Sequence, residues 1–301
     1  MKARLLVTCF VIAAASMPLV PAGASFPGAN GRIAFYDFAE QPTQIYSIEP
    51  DGTDPLPLTA GARAKLAPAW SADGSMIAFG SFSLRRETRG RLEIMNADGT
   101  ARSVVVAFDH SRVTDPAWSP DGSQIAFCRE APRGIRIWAV DIDGSNLTRL
   151  SETSDQDCNP DWSPDGMRIA FTPIDDDGLW VMGADGTNRV ELVNGFAAAP
   201  SWSPDGTMIA FTRVPRMSDK NDLFIVNEDG SGRTRLTFTE RRWEFTPAWS
   251  PDGTSIAFCR GTGVDALDPC QIWIMNADGS NPAKITSTPD VDEFGLSWQP
   301  I

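Results

Sequence analysis

Pro116-Ala117-Trp118-Ser119-Pro120-Asp121-Gly122-Ser123-Gln124-Ile125-Ala126-Phe127 is a phrase the chain writes five times. Its siblings are PAWSADGSMIAF from Pro68, PDWSPDGMRIAF from Pro160, PSWSPDGTMIAF from Pro200 and PAWSPDGTSIAF from Pro247. Their tryptophans, Trp70, Trp118, Trp162, Trp202 and Trp249, stand 48, 44, 40 and 47 residues apart. A second phrase follows each time, as in LEIMNADGT from Leu92 or IWIMNADGS from Ile272. The Trp-Ser and Ile-Ala-Phe stretches read as two short strands joined by a Ser-Pro-Asp-Gly turn. Proline presets φ at the second turn position, and glycine accepts a positive φ. The second phrase supplies a third strand and turns through Asp-Gly into a fourth. Four strands in roughly 40–45 residues is the period of a propeller blade.

The two ends of the repeat complete the count. Gly31-Arg32-Ile33-Ala34-Phe35 is the second half of the first phrase without its tryptophan strand, and IYSIEPDGT from Ile45 is the second phrase. Leu296-Ser297-Trp298 is a tryptophan strand with no partner after it. Joined, these fragments predict an all-β, six-bladed β-propeller whose ring is closed by three N-terminal strands plus one C-terminal strand. Closure also pairs the sheet edges that an open array would expose.

Residues 1–24 read as a signal peptide. Lys2 and Arg4 precede the apolar run Leu5 to Ala15, which fits the roughly 7–15 residues of such a region, and Ala22-Gly23-Ala24 offers small residues for cleavage. The mature chain, residues 25–301, is then a single propeller domain outside the cytoplasm, periplasmic or secreted, with no transmembrane segment. The chain has 301 residues and a formal charge of −13, which argues against nucleic acid or an anionic membrane surface as a partner. His110 is the one histidine, so a multi-histidine metal site is excluded. No Gly-x-Ser-x-Gly elbow or phosphate loop occurs either.

The repeated Trp-Ser-Pro-Asp-Gly, Ile-Ala-Phe and Asn-Ala-Asp-Gly-Ser phrases resemble the repeat of TolB-type propellers, over about residues 27–300 and in the propeller part only. The resemblance implies a WD-repeat-like blade and an envelope setting. Propeller pectate-type lyases are also similar, but the family relies on several histidines for its metal.

The repeated residues themselves read as structural: tryptophans packed between blades, aspartates accepting turn N–H bonds. Asp141-Ile142-Asp143-Gly144-Ser145-Asn146 superficially matches a calcium loop, but it lacks the late bidentate glutamate and reads as a turn. Both repeated turns fall on one end of the ring. The connections from strand two to strand three, and from blade to blade, fall on the other. Variable loops on a rigid scaffold are where binding residues usually sit.

That irregular end holds the candidate site residues. Arg85, Arg86, Arg89 and Arg91 form a basic cluster on the second blade, suited to a carboxylate or phosphate. Asp175, Asp176 and Asp177 form an acidic run. Arg241, Arg242 and Trp243 have the composition of an interface hot spot. Asp157, Glu244 and Glu293, each five residues before a blade tryptophan, are candidates for a ring at the channel mouth. The four cysteines left after export allow three pairings. Strand positions favour Cys259 with Cys270 and Cys128 with Cys158.

Two functions remain open. One is a non-catalytic module binding a protein, peptide or envelope polymer at the irregular face, with no catalytic residue, cofactor or metal. The alternative is a carbohydrate-active hydrolase or lyase using channel-mouth carboxylates, since glycosidic cleavage needs only two carboxyl groups about 5–10 Å apart.

Overall fold

Six four-stranded antiparallel sheets follow one another along the chain, as the repeat predicts. The computed structural model describes residues 25–37, 42–83, 89–152, 156–174, 178–213, 221–239, 242–261, 269–288 and 291–301. The expected signal peptide, and the candidates Arg85, Arg86, Arg241 and Asp175 to Asp177, lie outside them.

Blade one joins Glu293–Pro300 to Asn30–Asp37, Gln44–Ile48 and Leu56–Pro57. Blade two is Arg63–Trp70, Met76–Ser83, Gly90–Asn96 and Ser103–Phe108. Blades three to six open with Arg112–Trp118, Asp157–Trp162, Ala197–Trp202 and Trp243–Trp249. These tryptophan strands are the inner ones, and each touches the inner strands of both neighbouring blades, so the ring is closed. The closing strand pairs Ile33 with Trp298, Ala34 with Ser297 and Asp37 with Glu293.

Each tryptophan wedges between its own blade and the preceding one. Trp70 packs on Ala34 and Ile45 of blade one and on Phe79 of blade two. Trp202 does the same between blades four and five, and Trp298 between six and one. All six are 0–3% exposed, so the interblade seams are the hydrophobic core.

The first turn works as its residues require. In blade two Ser71 Oγ donates to Asp73 Oδ1 (2.6 Å), which also accepts Ser75 N (3.0 Å). The same geometry recurs at Asp121, Asp165, Asp205 and Asp252. These bonds favour the carboxylate and hold each of these aspartates below its ordinary pKa.

One regularity lay hidden in the phrase. The residue three before each tryptophan has a positive φ: Ala67, Asp115, Asn159, Ala199, Thr246 and Gly295. In five blades it precedes proline, and the register slips at this point in every inner strand. Each inner strand therefore carries a β-bulge, which re-aims its first residues at the irregular end.

Candidate functional site

The antiparallel order places the irregular connections at the end where the inner strands begin. Asp157, Glu244 and Glu293 all sit there and are almost wholly buried. Each lies in a hydrogen-bond network, Asp157 within its own blade, Glu244 with its own blade and the connection before it, and Glu293 with the neighbouring blade six. Asp157 takes both prongs of Arg189, Nη1 to Oδ2 at 2.7 Å and Nη2 to Oδ1 at 3.1 Å. Glu244 Oε1 accepts from Arg260 Nε (2.9 Å) and Thr239 Oγ1 (2.7 Å). Glu293 Oε2 accepts from Ile272 N (3.1 Å) and Thr286 Oγ1, and Oε1 from Thr288 Oγ1 (2.8 Å). Burial pushes Glu244 up to about 7 and Glu293 up to about 6.

Trp243 is half-buried and leads an aromatic row across the seam between blades six and one. Its ring centroid lies 5.8 Å from Phe245, which is 6.4 Å from Phe294, itself 6.1 Å from Tyr36. Arg242 beside it is half-buried, and its carbonyl accepts from Thr239 Oγ1 (3.2 Å). Arg89 is exposed and pairs with Asp109 through Nε (2.6 Å). Arg91 turns instead into a cleft between blades one and two.

Both disulfides are present. Cys128–Cys158 joins blades three and four with Cα atoms 5.2 Å apart, and Cys259–Cys270 spans a hairpin of blade six at 5.5 Å. Asp115 Oδ2 lies 3.1 Å from Cys158 Sγ and 2.8 Å from Thr114 Oγ1. The Asp115, Cys128 and Cys158 ligand atoms fall within 4.8 Å of one another, the spacing of a metal site. The two sulfurs are bonded to each other, so they offer no thiolate, and burial raises Asp115 well above the usual carboxylate range. This donor set does not fit a metal ion.

His110 is exposed on a turn with φ 52°. In the matching Asp141 loop, Oδ1 accepts from Gln124 Nε2 (2.8 Å) and Oδ2 from Asn146 Nδ2 (2.6 Å), a turn network like its siblings. Acidic residues five before a tryptophan are marked by the repeat, and Lys65 occupies the same slot in blade two. No repeat position marks Asp222, which is bound to Arg235 Nη2 (2.8 Å).

A family model for the TolB beta propeller domain matches residues 28–188, more than half of the chain. No curated protein matches. Among solved structures, TolB from Acinetobacter baumannii is 21% identical with a TM-score of 0.75, covering 90% of this chain and 67% of that one. A chain of a nidogen/laminin complex is 12% identical at TM-score 0.70, covering 89% and 98%. An oligogalacturonate lyase in complex with manganese is 16% identical at TM-score 0.59, covering 88% and 77%. At such identities the likeness shows the fold alone, and this fold carries both binding and lyase activity.

Proposed function

Because this chain belongs to the TolB β-propeller domain family, we propose that it is a non-catalytic, exported binding module. Its irregular face takes a protein, a peptide or an envelope polymer. The observation that carries this reading is the state of the three buried carboxyls. Asp157 is held within blade four, Glu244 by Arg260 of its own blade and Thr239 of the connection before it, and Glu293 by blade six across the closing seam, as braces rather than as an acid–base pair aimed at a substrate. At that face lie the exposed Arg89 and the half-buried Arg242 and Trp243, residue types favoured at interface hot spots. Two structural neighbours fit this reading, the TolB and the chain from a complex of two proteins.

The test is crosslinking of the mature chain in an envelope extract, with the crosslinked peptides mapped. The reading expects crosslinks on the irregular end that Trp243→Ala and Arg242→Ala weaken. Crosslinks confined to the Ser-Pro-Asp-Gly end refute it. Export is part of the proposal, and the N-terminus of the secreted protein is expected at Ser25. The carbohydrate-active alternative has a lyase among the structural neighbours, and burial raises Glu244 and Glu293 as a general acid needs, but both carboxyls are engaged by hydrogen bonds within the molecule. Polysaccharide turnover that two carboxylate-to-alanine changes abolish would establish it instead.

A further inference from the structure

Blade two departs from an arrangement that blade four keeps. In blade four, Asp157 stands five residues before Trp162 and Arg189 three after the turn glycine Gly186, and the two form a two-pronged ion pair. The same slots of blade two hold Lys65, five before Trp70, and Arg102, three after Gly99. The slot that holds a carboxylate in blade four therefore holds an ammonium in blade two.

Register concentrates the excess charge. Lys65 pairs with Ser81, and Ser81 with Arg91, so the three share one face of the sheet. Arg63 and Glu93 lie two residues along on the same face. With Arg102 and the Ala60, Gly61 and Ala62 connection, these side chains line a cavity of about 230 Å³ between blades one and two.

Among the described residues, Glu93 is the one carboxylate lining the cavity with the four cations. Glu93 accepts from Ser81 Oγ through Oε1, and its Oε2 lies 3.4 Å from Arg102 Nε. Lys65 is 2% exposed, and all its partners are neutral: Gln44 Oε1 (2.9 Å), Arg63 O (3.0 Å) and Ala60 O (3.2 Å). Burial and then Arg102 push its amine down to about 8. Arg63 is tied to Ser81 through Nε (3.2 Å) and to the Arg89 carbonyl through Nη2 (2.5 Å). Among the described residues no carboxylate pairs with Arg91, which lines the cavity beside them.

We propose that this cleft is a binding site for a small carboxylate ligand, whose carboxylate lies between Arg91 and Arg102 as Asp157 does beside Arg189. An arginine fork matches a carboxylate in two parallel hydrogen bonds, and a partly enclosed cleft screens the attraction less than open surface does. The fixed ammonium of Lys65 contributes charge rather than a hydrogen bond, since its donors are already in use. The inference goes beyond the loop-face reading, and either can fail without the other.

Calorimetric titration of the full chain with succinate, at constant ionic strength against chloride, tests the site. Succinate is expected to bind, and Arg91→Gln and Arg102→Gln each to weaken it about tenfold or more, with Arg91→Gln melting at or above the wild-type temperature. Lys65→Asp installs the carboxylate of blade four. It is expected to abolish succinate binding. Should that variant not fold, Arg91→Gln carries the test. The site is refuted if succinate binds no better than chloride, if phosphate binds and succinate does not, or if both arginine variants bind succinate as the wild type does.

Discussion

A single carboxylate can brace a whole blade face. Asp157 is buried and receives both prongs of Arg189, whose guanidinium also lies 4.8 Å from the centre of the Phe171 ring. Asp157→Asn removes the carboxylate that both prongs of that half-buried cation meet. The expected cost is about 3 kcal/mol, measured by urea denaturation. Glu244 sets a pH dependence of opposite origin. Burial raises its folded pKa to about 7, above the ordinary 4.5, so the fold retains a proton that the unfolded chain gives up. Its contribution is fully present below about pH 4.5 and is lost as pH rises through about 7. Glu293 acts alike up to about pH 6. Stability is expected to fall by on the order of 2 kcal/mol between pH 5 and 7.5, and Glu244→Gln to flatten that slope, read as urea midpoints at the two pH values.

Hairpins and their staples act at the next scale. Cys128–Cys158 spans 30 residues of sequence and Cys259–Cys270 spans 11. Restricting the unfolded chain this far is worth about 3–4 kcal/mol for the longer bridge and about 3 for the shorter. Reduction, or the two Cys→Ser pairs separately, is expected to lower the denaturation midpoint, more for the 128–158 pair. The unreduced protein is expected to show no free thiol at these four residues. Gly74 ends the first turn of blade two with φ 65°, and a methyl group there would stand 1.9 Å from the Pro300 carbonyl. Gly74→Ala is expected to cost more than about 1 kcal/mol in thermal or urea melts. The need for a turn glycine is plain from Ser-Ala-Asp-Gly. The closeness of the closing strand is not, because Pro300 lies on the far side of the sequence.

Ring closure acts on the scale of the whole molecule. Ala29 and Ile301 exchange two backbone hydrogen bonds (2.9 and 3.0 Å), and Trp298 Nε1 donates to Gly31 O (3.0 Å). Trp298→Ala removes the wedge of the last seam and is expected to cost about 3–5 kcal/mol. Deleting residues 295–301 exposes the edge of Asn30–Asp37 and is expected to lower the melting temperature further than Trp298→Ala does. An unchanged melt would refute closure as the source of stability. The sequence by itself determined the blade, the count of six, the closing strand and the cysteine pairs, because turn chemistry and strand alternation are local and repeat in register. It pointed to the irregular end for the same reason, since strand order follows from the hairpins. Only the tertiary structure decided what each buried charge meets. Lys65 finds Gln44 of another blade, Asp157 finds Arg189 across its own blade, and Arg91 lies at the start of a strand and lines a cleft. These partners are chosen by sheet twist, the bulge three residues before each tryptophan and the packing of neighbouring blades, none of which any short stretch of residues encodes.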